Sequence, residues 1–206
     1  MFLHKTPWLI QKLYPSLIWK QNQPQTIYLT FDDGPIPGIT PFIQDTLTDF
    51  KIKATFFCVG DNLRKYREIA QESIRLGHTI ANHTFNHLNG WKTNKNDYLE
   101  NIELCENLIN ELGVKCHLFR PPYGKISKSQ IQLMKSNYRM IMWDVLTGDY
   151  SKKMSTQSCL EGSIKATDEG SIVLFHDNIK AEKNIRYSLP RYIEHFLKRG
   201  YRFDIL

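Results

Sequence analysis

The sequence predicts an α/β fold, a closed or nearly closed (β/α) barrel of about seven parallel strands. Three observations predict it. Short β-branched and aromatic runs alternate with amphipathic stretches along almost the whole chain. That alternation implies parallel strands joined by right-handed crossovers. Polar clusters follow five of the strand runs, where a barrel of this kind collects its chemistry.

Taken in order, residues 26–31 (TIYLTF) read as a strand, 40–50 as a helix and 53–59 (KATFFCV) as a second strand. Residues 62–76 carry apolar side chains at helical spacing and stop at Gly77, a helix-ending residue. A short strand at 79–81 leads into a histidine-bearing segment. Residues 94–112 form a long helix with Tyr98, Ile102, Cys105, Leu108 and Ile109 on one face, ended by Gly113. Residues 115–119 read as a strand running into Pro121 and Pro122, and 127–136 as a helix. A strand at 139–145 (RMIMWDV), a helix at 155–167 and a strand at 171–175 follow. The last helix is placed at 188–199, with Pro190 in its first turn and Gly200 closing it, before a final strand at 201–205.

With 206 residues, the chain suits one domain with a sizeable core, placed at 26–206, on which a 1–25 extension packs. Hydrophobic residues at 41% and charged residues at 23% exclude a disordered or fibrous chain. The net charge of +6 attracts anionic partners, but the lysines and arginines are dispersed, so no nucleic-acid stripe forms. Cys58, Cys105, Cys116 and Cys159 make no C-x-x-C pair and read as free buried thiols of a reducing compartment.

The first twenty residues hold Trp8, Leu9, Ile10, Leu13, Leu17, Ile18 and Trp19, interrupted by Pro7 and Pro15. They make a poor signal peptide and are too short and polar to span a bilayer. The expected location is therefore cytoplasmic or peripheral to a bacterial-type membrane. The segment is expected to pack on the domain; with Lys5, Lys12 and Lys20 it is also a weak candidate for an interfacial anchor. A monomer is expected.

The chemistry gathers at the strand ends. Asp32 and Asp33 follow the first strand, and alternation is expected to aim them apart, one at a metal and one at a substrate as a base. Alone, D-D-G-P reads more often as a turn than as a site. His83 and His87 are four apart, so on a helical turn their rings share a face; with Asp33 they supply two nitrogens and one oxygen, a donor set with an open position. Two capping or surface histidines explain the pair by itself just as well. Arg120, Pro121, Pro122, Tyr123 and Gly124 form a rigid turn that aims the Tyr123 N–H at a developing oxyanion, and Arg120 is placed to clasp Asp32 bidentately. His176 follows a buried strand; Asp149 is its candidate partner, and Leu174 walls a methyl-sized apolar pocket beside it. Together these supply what metal-assisted amide hydrolysis needs.

The segments Thr30-Phe31-Asp32-Asp33-Gly34-Pro35, GHTIANHTFNH at 77–87, FRPPYG at 119–124, WDVLTGDY at 143–150 and IVLFHD at 172–177 resemble the polysaccharide deacetylases of NodB-homology type, carbohydrate esterase family 4. The matches run in family order over nearly the whole chain. The resemblance implies a distorted (β/α) barrel of NodB-homology type and one divalent metal ion, zinc first, with cobalt or another as alternatives, held by Asp33, His83 and His87. It implies Asp32 as general base, His176 as general acid, Arg120 orienting Asp32, and Asp149 tuning His176. Tyr123, Pro122, Tyr150 and Leu174 are implied at the substrate, an N-acetylated glycan. Tyr150 stands where the family usually has Trp. The competing readings are a sugar-binding protein without turnover and a hydrolase of another amide or an ester.

Overall fold

The computed structural model describes residues 2–206. Its elements in chain order are α1 (Trp8–Leu13), β1 (Thr26–Asp32), α2 (Ile39–Asp49), β2 (Thr55–Cys58), α3 (Gly60–Lys65), α4 (Arg67–Arg75), β3 (Thr79–Asn82) and α5 (Lys95–Glu111). They continue with β4 (Leu118–Phe119), α6 (Lys128–Met134), β5 (Arg139–Met140), β6 (Val145–Leu146), α7 (Thr156–Ala166), β7 (Ile172–His176), α8 (Glu182–Leu197) and β8 (Arg202–Phe203). Seven strands pair side by side in the order β5-β4-β3-β2-β1-β7-β6, and every pairing is parallel. The sheet curls into a half-barrel wrapped by helices. The short β8 pairs with the first residues of β1. Among the described residues, no helix is long and apolar enough to cross a membrane.

β1 sits at the centre and all seven of its residues are buried, as expected for a parallel strand covered on both faces. The rings of Phe31, Phe56 and Phe175 stack across β1, β2 and β7, with centroids 5.0 and 6.0 Å apart. Thr30, also buried, satisfies its hydroxyl on the Val173 carbonyl at 2.9 Å.

Three expectations are corrected. The run 139–145 is not one strand: β5 and β6 lie at opposite edges of the sheet. The apolar run is buried over Met140, Ile141 and Met142, which makes it look continuous, but Ile141 donates to Phe119 of β4, Met142 to Ile18 of the N-terminal segment and Asp144 to Ile172 of β7. The 62–76 helix is two helices, broken at Tyr66, whose φ is −128°. The last helix starts at Glu182, so Pro190 is interior; its N-cap, Ala181, has no side-chain acceptor, leaving the sequence without a start signal.

The gap between β5 and β6 is spanned by the N-terminal segment. Ile18 donates to the Met140 carbonyl at 2.9 Å and accepts from Met142 at 2.7 Å. Thr6 donates to Asp144 at 2.8 Å, and Leu146 donates to His4 at the same length. Arg120 braces the same seam from inside. It is fully buried, and its guanidinium donates to the carbonyls of Ile141 at 3.2 Å and Met142 at 2.9 Å.

Candidate active site

The cluster lies at the C-terminal ends of β1, β3 and β7. Asp32 and His176 are register partners across β1 and β7, so both side chains leave the sheet on one side. Thr30 and Leu174 are partners one pleat below them. This register puts Leu174 beneath His176 as part of the cavity wall.

The expected divergence of Asp32 and Asp33 does not occur. Oδ2 of Asp32 and Oδ1 of Asp33 both lie 3.7 Å from Nε2 of His83. Alternation fails because Asp33 has left the strand: its φ is 90°. Holding a non-glycine residue there needs restraint from its surroundings. The Asn62 amide donates to the Asp33 carbonyl at 2.7 Å, and the Asp177 carboxylate accepts from the Gly34 N–H at 2.8 Å. A Cβ on residue 34 would fall 1.7 Å from Oδ2 of Asp177, so the turn accepts only glycine. Burial pushes the Asp177 carboxyl up to about 8, against the hydrogen bonds from Thr40 and Gly34.

His83 and His87 do not ride a helical turn either. Thr84 and His87 both have positive φ, 62° and 55°, and the segment is a loop tied from several sides. The Thr84 hydroxyl accepts from Leu88 at 3.0 Å. Asn101 on α5 accepts from Phe85 and Asn86, each at 2.9 Å, and donates to the Asn86 side chain. The Asn82 side chain accepts from Thr84 at 2.9 Å. Nδ1 of His83 donates to the Arg120 carbonyl at 2.7 Å, which directs Nε2 at the cavity. Burial lowers His83 to about 4, leaving a neutral imidazole at neutral pH, the form that binds a metal.

The donor atoms of Asp33, His83 and His87 lie within 4.8 Å of one another. Nε2 of His87 is 3.1 Å from Oδ1 of Asp33. Two imidazoles and a carboxylate this close suit an ion whose bonds are ~2.0–2.2 Å long, and they leave its cavity side open. Burial pushes Asp33 up, but the His87 hydrogen bond and the nearby imidazoles hold it well below the usual carboxylate range.

Arg120 reaches Asp32 through one nitrogen only, at 2.6 Å, and gives the same nitrogen to the Thr30 hydroxyl. The expected bidentate clasp is absent because the other guanidinium groups are spent on Ile141 and Met142. On the opposite side, Nδ1 of His176 donates to Asp149 at 2.8 Å, and the second Asp149 oxygen accepts from the His176 backbone at 2.7 Å. Asp149 is wholly buried. Burial alone would lower His176, but the charge and hydrogen bond of Asp149 outweigh it and raise the imidazole to about 9. Its Nε2 is left for the cavity.

The cavity, about 600 Å³, is lined by Asp32, Asp33, His83, His87, Tyr123, Tyr150, Leu174 and His176, with Trp143 and Asn178. Tyr123 has a φ of 60° and packs its ring edge against His87, centroids 4.5 Å apart. The Tyr150 ring meets His176 edge-on at 4.8 Å. Pro122 is buried behind Tyr123 and does not line the cavity.

Residues 20–140 match the sequence profile of the polysaccharide deacetylase family. The chain belongs to that family. A peptidoglycan-N-acetylglucosamine deacetylase of Bacillus cereus is 36% identical over 152 residues, 73% of this chain and 55% of that protein. A second protein of that description, also from Bacillus cereus, is 31% identical over 88% of this chain and 86% of its own length. The crystal structure of the Bc1960 peptidoglycan N-acetylglucosamine deacetylase, complexed with a naphthyl N-hydroxybenzamide, superposes with a TM-score of 0.90 at 31% identity, covering 98% of this chain and 95% of that one. The fold described above is thus the barrel of carbohydrate esterase family 4.

Several residues that build this deacetylase site lie outside the motifs read from the sequence. Asn178 donates to Oδ2 of Asp33 at 2.5 Å and accepts from Ala181 at the start of α8 at 3.1 Å. It lies two residues past His176, just beyond the recognisable H-D pair. Asn101 had a legible signal, a polar residue on the buried face of an amphipathic helix. Asn82 had the same signal at the end of a buried strand.

Proposed function

We propose that this chain removes N-acetyl groups from a carbohydrate containing N-acetylglucosamine, releasing acetate and a free amine. The observation that carries the reading is the opposition of two differently held groups beside the Asp33/His83/His87 cluster. Asp32 is held by the cationic Arg120, and His176 by the anionic Asp149. The pair places a carboxyl group suited to act as base opposite an imidazole held as an acid, in one cavity. The Bacillus cereus relatives, described as peptidoglycan-N-acetylglucosamine deacetylases, support the substrate class.

Asp33, His83 and His87 would hold a divalent ion, zinc by donor chemistry. When bound, the ion supplies Lewis-acid polarisation of the acetyl carbonyl and lowers the pKa of water. Asp32 takes a proton from the attacking water as its oxygen bonds to the carbonyl carbon. The Tyr123 N–H donates to the oxyanion, and Leu174 with Tyr150 encloses the acetyl methyl. His176 delivers the Nε2 proton to the amide nitrogen as the C–N bond breaks.

Acetate release from N-acetylglucosamine oligomers tests the reading. It should stop with chelator and return with added zinc or cobalt; release indifferent to chelator would overturn the metal role. The purified protein should carry about one divalent ion per chain, and His87→Ala should lose most of it. Full occupancy in that variant would remove His87 from the site.

Asn178→Ala should weaken metal affinity by about 10–100-fold, because Asp33 loses the partner of its second oxygen. Competition against a chromogenic chelator reads this without turnover. Unchanged affinity would show that the bond does not orient Asp33.

A further inference from the structure

Helix α1 is apolar at Trp8, Leu9, Ile10 and Leu13, yet none of its residues is buried. Trp8 is 65% exposed and Leu13 62%, and Leu9 and Ile10 are exposed beside them. The apolar face of a helix is ordinarily covered. Ile10 and Leu13 form one wall of a second cavity, about 420 Å³, with Leu3, Trp91 and Tyr123 on its other walls and no carboxylate in its lining. It adjoins the active-site cavity through Tyr123, Trp143 and Leu146, which line both. Ile179, 75% exposed, lines the active-site cavity. Of the eleven large apolar side chains exposed among the described residues, eight therefore lie on α1 or line these two cavities. Such gathering marks a contact surface.

Charge selects the partner. The ammonium of Lys12 stands 4.6 Å from the Trp8 ring centroid, and that of Lys125 stands 5.4 Å from the Trp91 centroid. Lys180 lines the active-site cavity. None of these three lysines has a carboxylate partner among the described residues. Lys5 is excluded, being bonded to Asp144 and Asp168. Aromatic and aliphatic groups beside unpaired lysines are the composition of a surface that inserts shallowly among anionic headgroups. A sugar chain leaves Leu3 and Leu13 unsatisfied, and a second copy brings the same positive charge. We propose that this rim docks the protein on an anionic lipid bilayer, with α1 and Trp91 in the interface and the active-site mouth turned to the headgroups. The proposal does not rest on the deacetylase reading.

Vesicle co-sedimentation of the whole chain tests it. The protein should partition onto phosphatidylcholine vesicles containing roughly one third phosphatidylglycerol, less onto phosphatidylcholine alone, and less in high salt. Leu9→Glu with Leu13→Glu should lower partition by about tenfold or more. Lys12→Glu with Lys125→Glu should abolish the preference for phosphatidylglycerol. Leu104→Glu, at an exposed site on α5, should change nothing. All substituted side chains are exposed or half-buried, so thermal melting should confirm intact folding. Absence of vesicle binding, or binding indifferent to these variants, overturns the proposal. Concentration-dependent self-association lost in Leu9→Glu/Leu13→Glu, without vesicle binding, also overturns it and gives the face to a second copy.

Discussion

Asp32→Asn and His176→Ala are each expected to lower kcat by about a hundredfold or more while leaving metal content unchanged. The two substitutions fail for different reasons. Asn at position 32 keeps the shape and still accepts from the Arg120 guanidinium, at 2.6 Å in the native protein, but it cannot take a proton. Ala at 176 removes the proton donor and leaves the Asp149 carboxylate buried without its cationic partner, so some loss of stability accompanies the loss of rate. Metal content is the control that separates chemistry from collapse of the site. An active Asp32→Asn enzyme would reassign the base; an active His176→Ala enzyme would reassign the acid.

Asp149→Asn is expected to move the alkaline limb of the pH–rate profile to lower pH. In the native protein His176 holds its proton up to about 9, because Asp149 outweighs the effect of burial. Removing the carboxylate leaves burial to dominate, and the imidazole then falls towards or below its ordinary value of about 6.5. A divalent ion beside it lowers His176 in both proteins, so the difference between them persists. The acid limb should hardly move. The sign for stability follows from the same shift. A group raised on folding stabilises the metal-free protein fully below about pH 6.5, and that contribution fades as pH rises through about 9. The variant lacks this contribution. An alkaline limb that stays in place would reduce Asp149 to a turn-building residue, which its bonds to Tyr150 and Asn184 would then account for.

The strand ends were legible because barrel strands are buried and their chemistry lies just beyond them. Asp32, His83, Arg120, Asp149 and His176 all follow runs whose apolar character announces a strand. Backbone conformation was less legible. Alternation predicts that Asp32 and Asp33 diverge, and a spacing of four predicts a helical turn for His83 and His87. Both rules assume regular dihedrals, and Asp33, Thr84 and His87 have positive φ. The split of 139–145 was hidden for a related reason. Burial alone does not reveal whether a residue bonds to the sheet or to a segment more than a hundred positions earlier. Asn178 was missed because its partner, Asp33, is 145 positions away and no local pattern links them.

The bridged seam bears on how the chain assembles as it is synthesised. The segment that fills it contacts residues far downstream, such as Asp144, 139 positions from Lys5, and Asp168, 148 positions from Lys20. At ~5–20 residues per second, the ribosome needs roughly ten to thirty seconds to supply those partners. During that interval Leu17 and Trp19, buried in the finished molecule, lack Met140 and Met142 of the core cluster they join. The first part made is thus among the last placed.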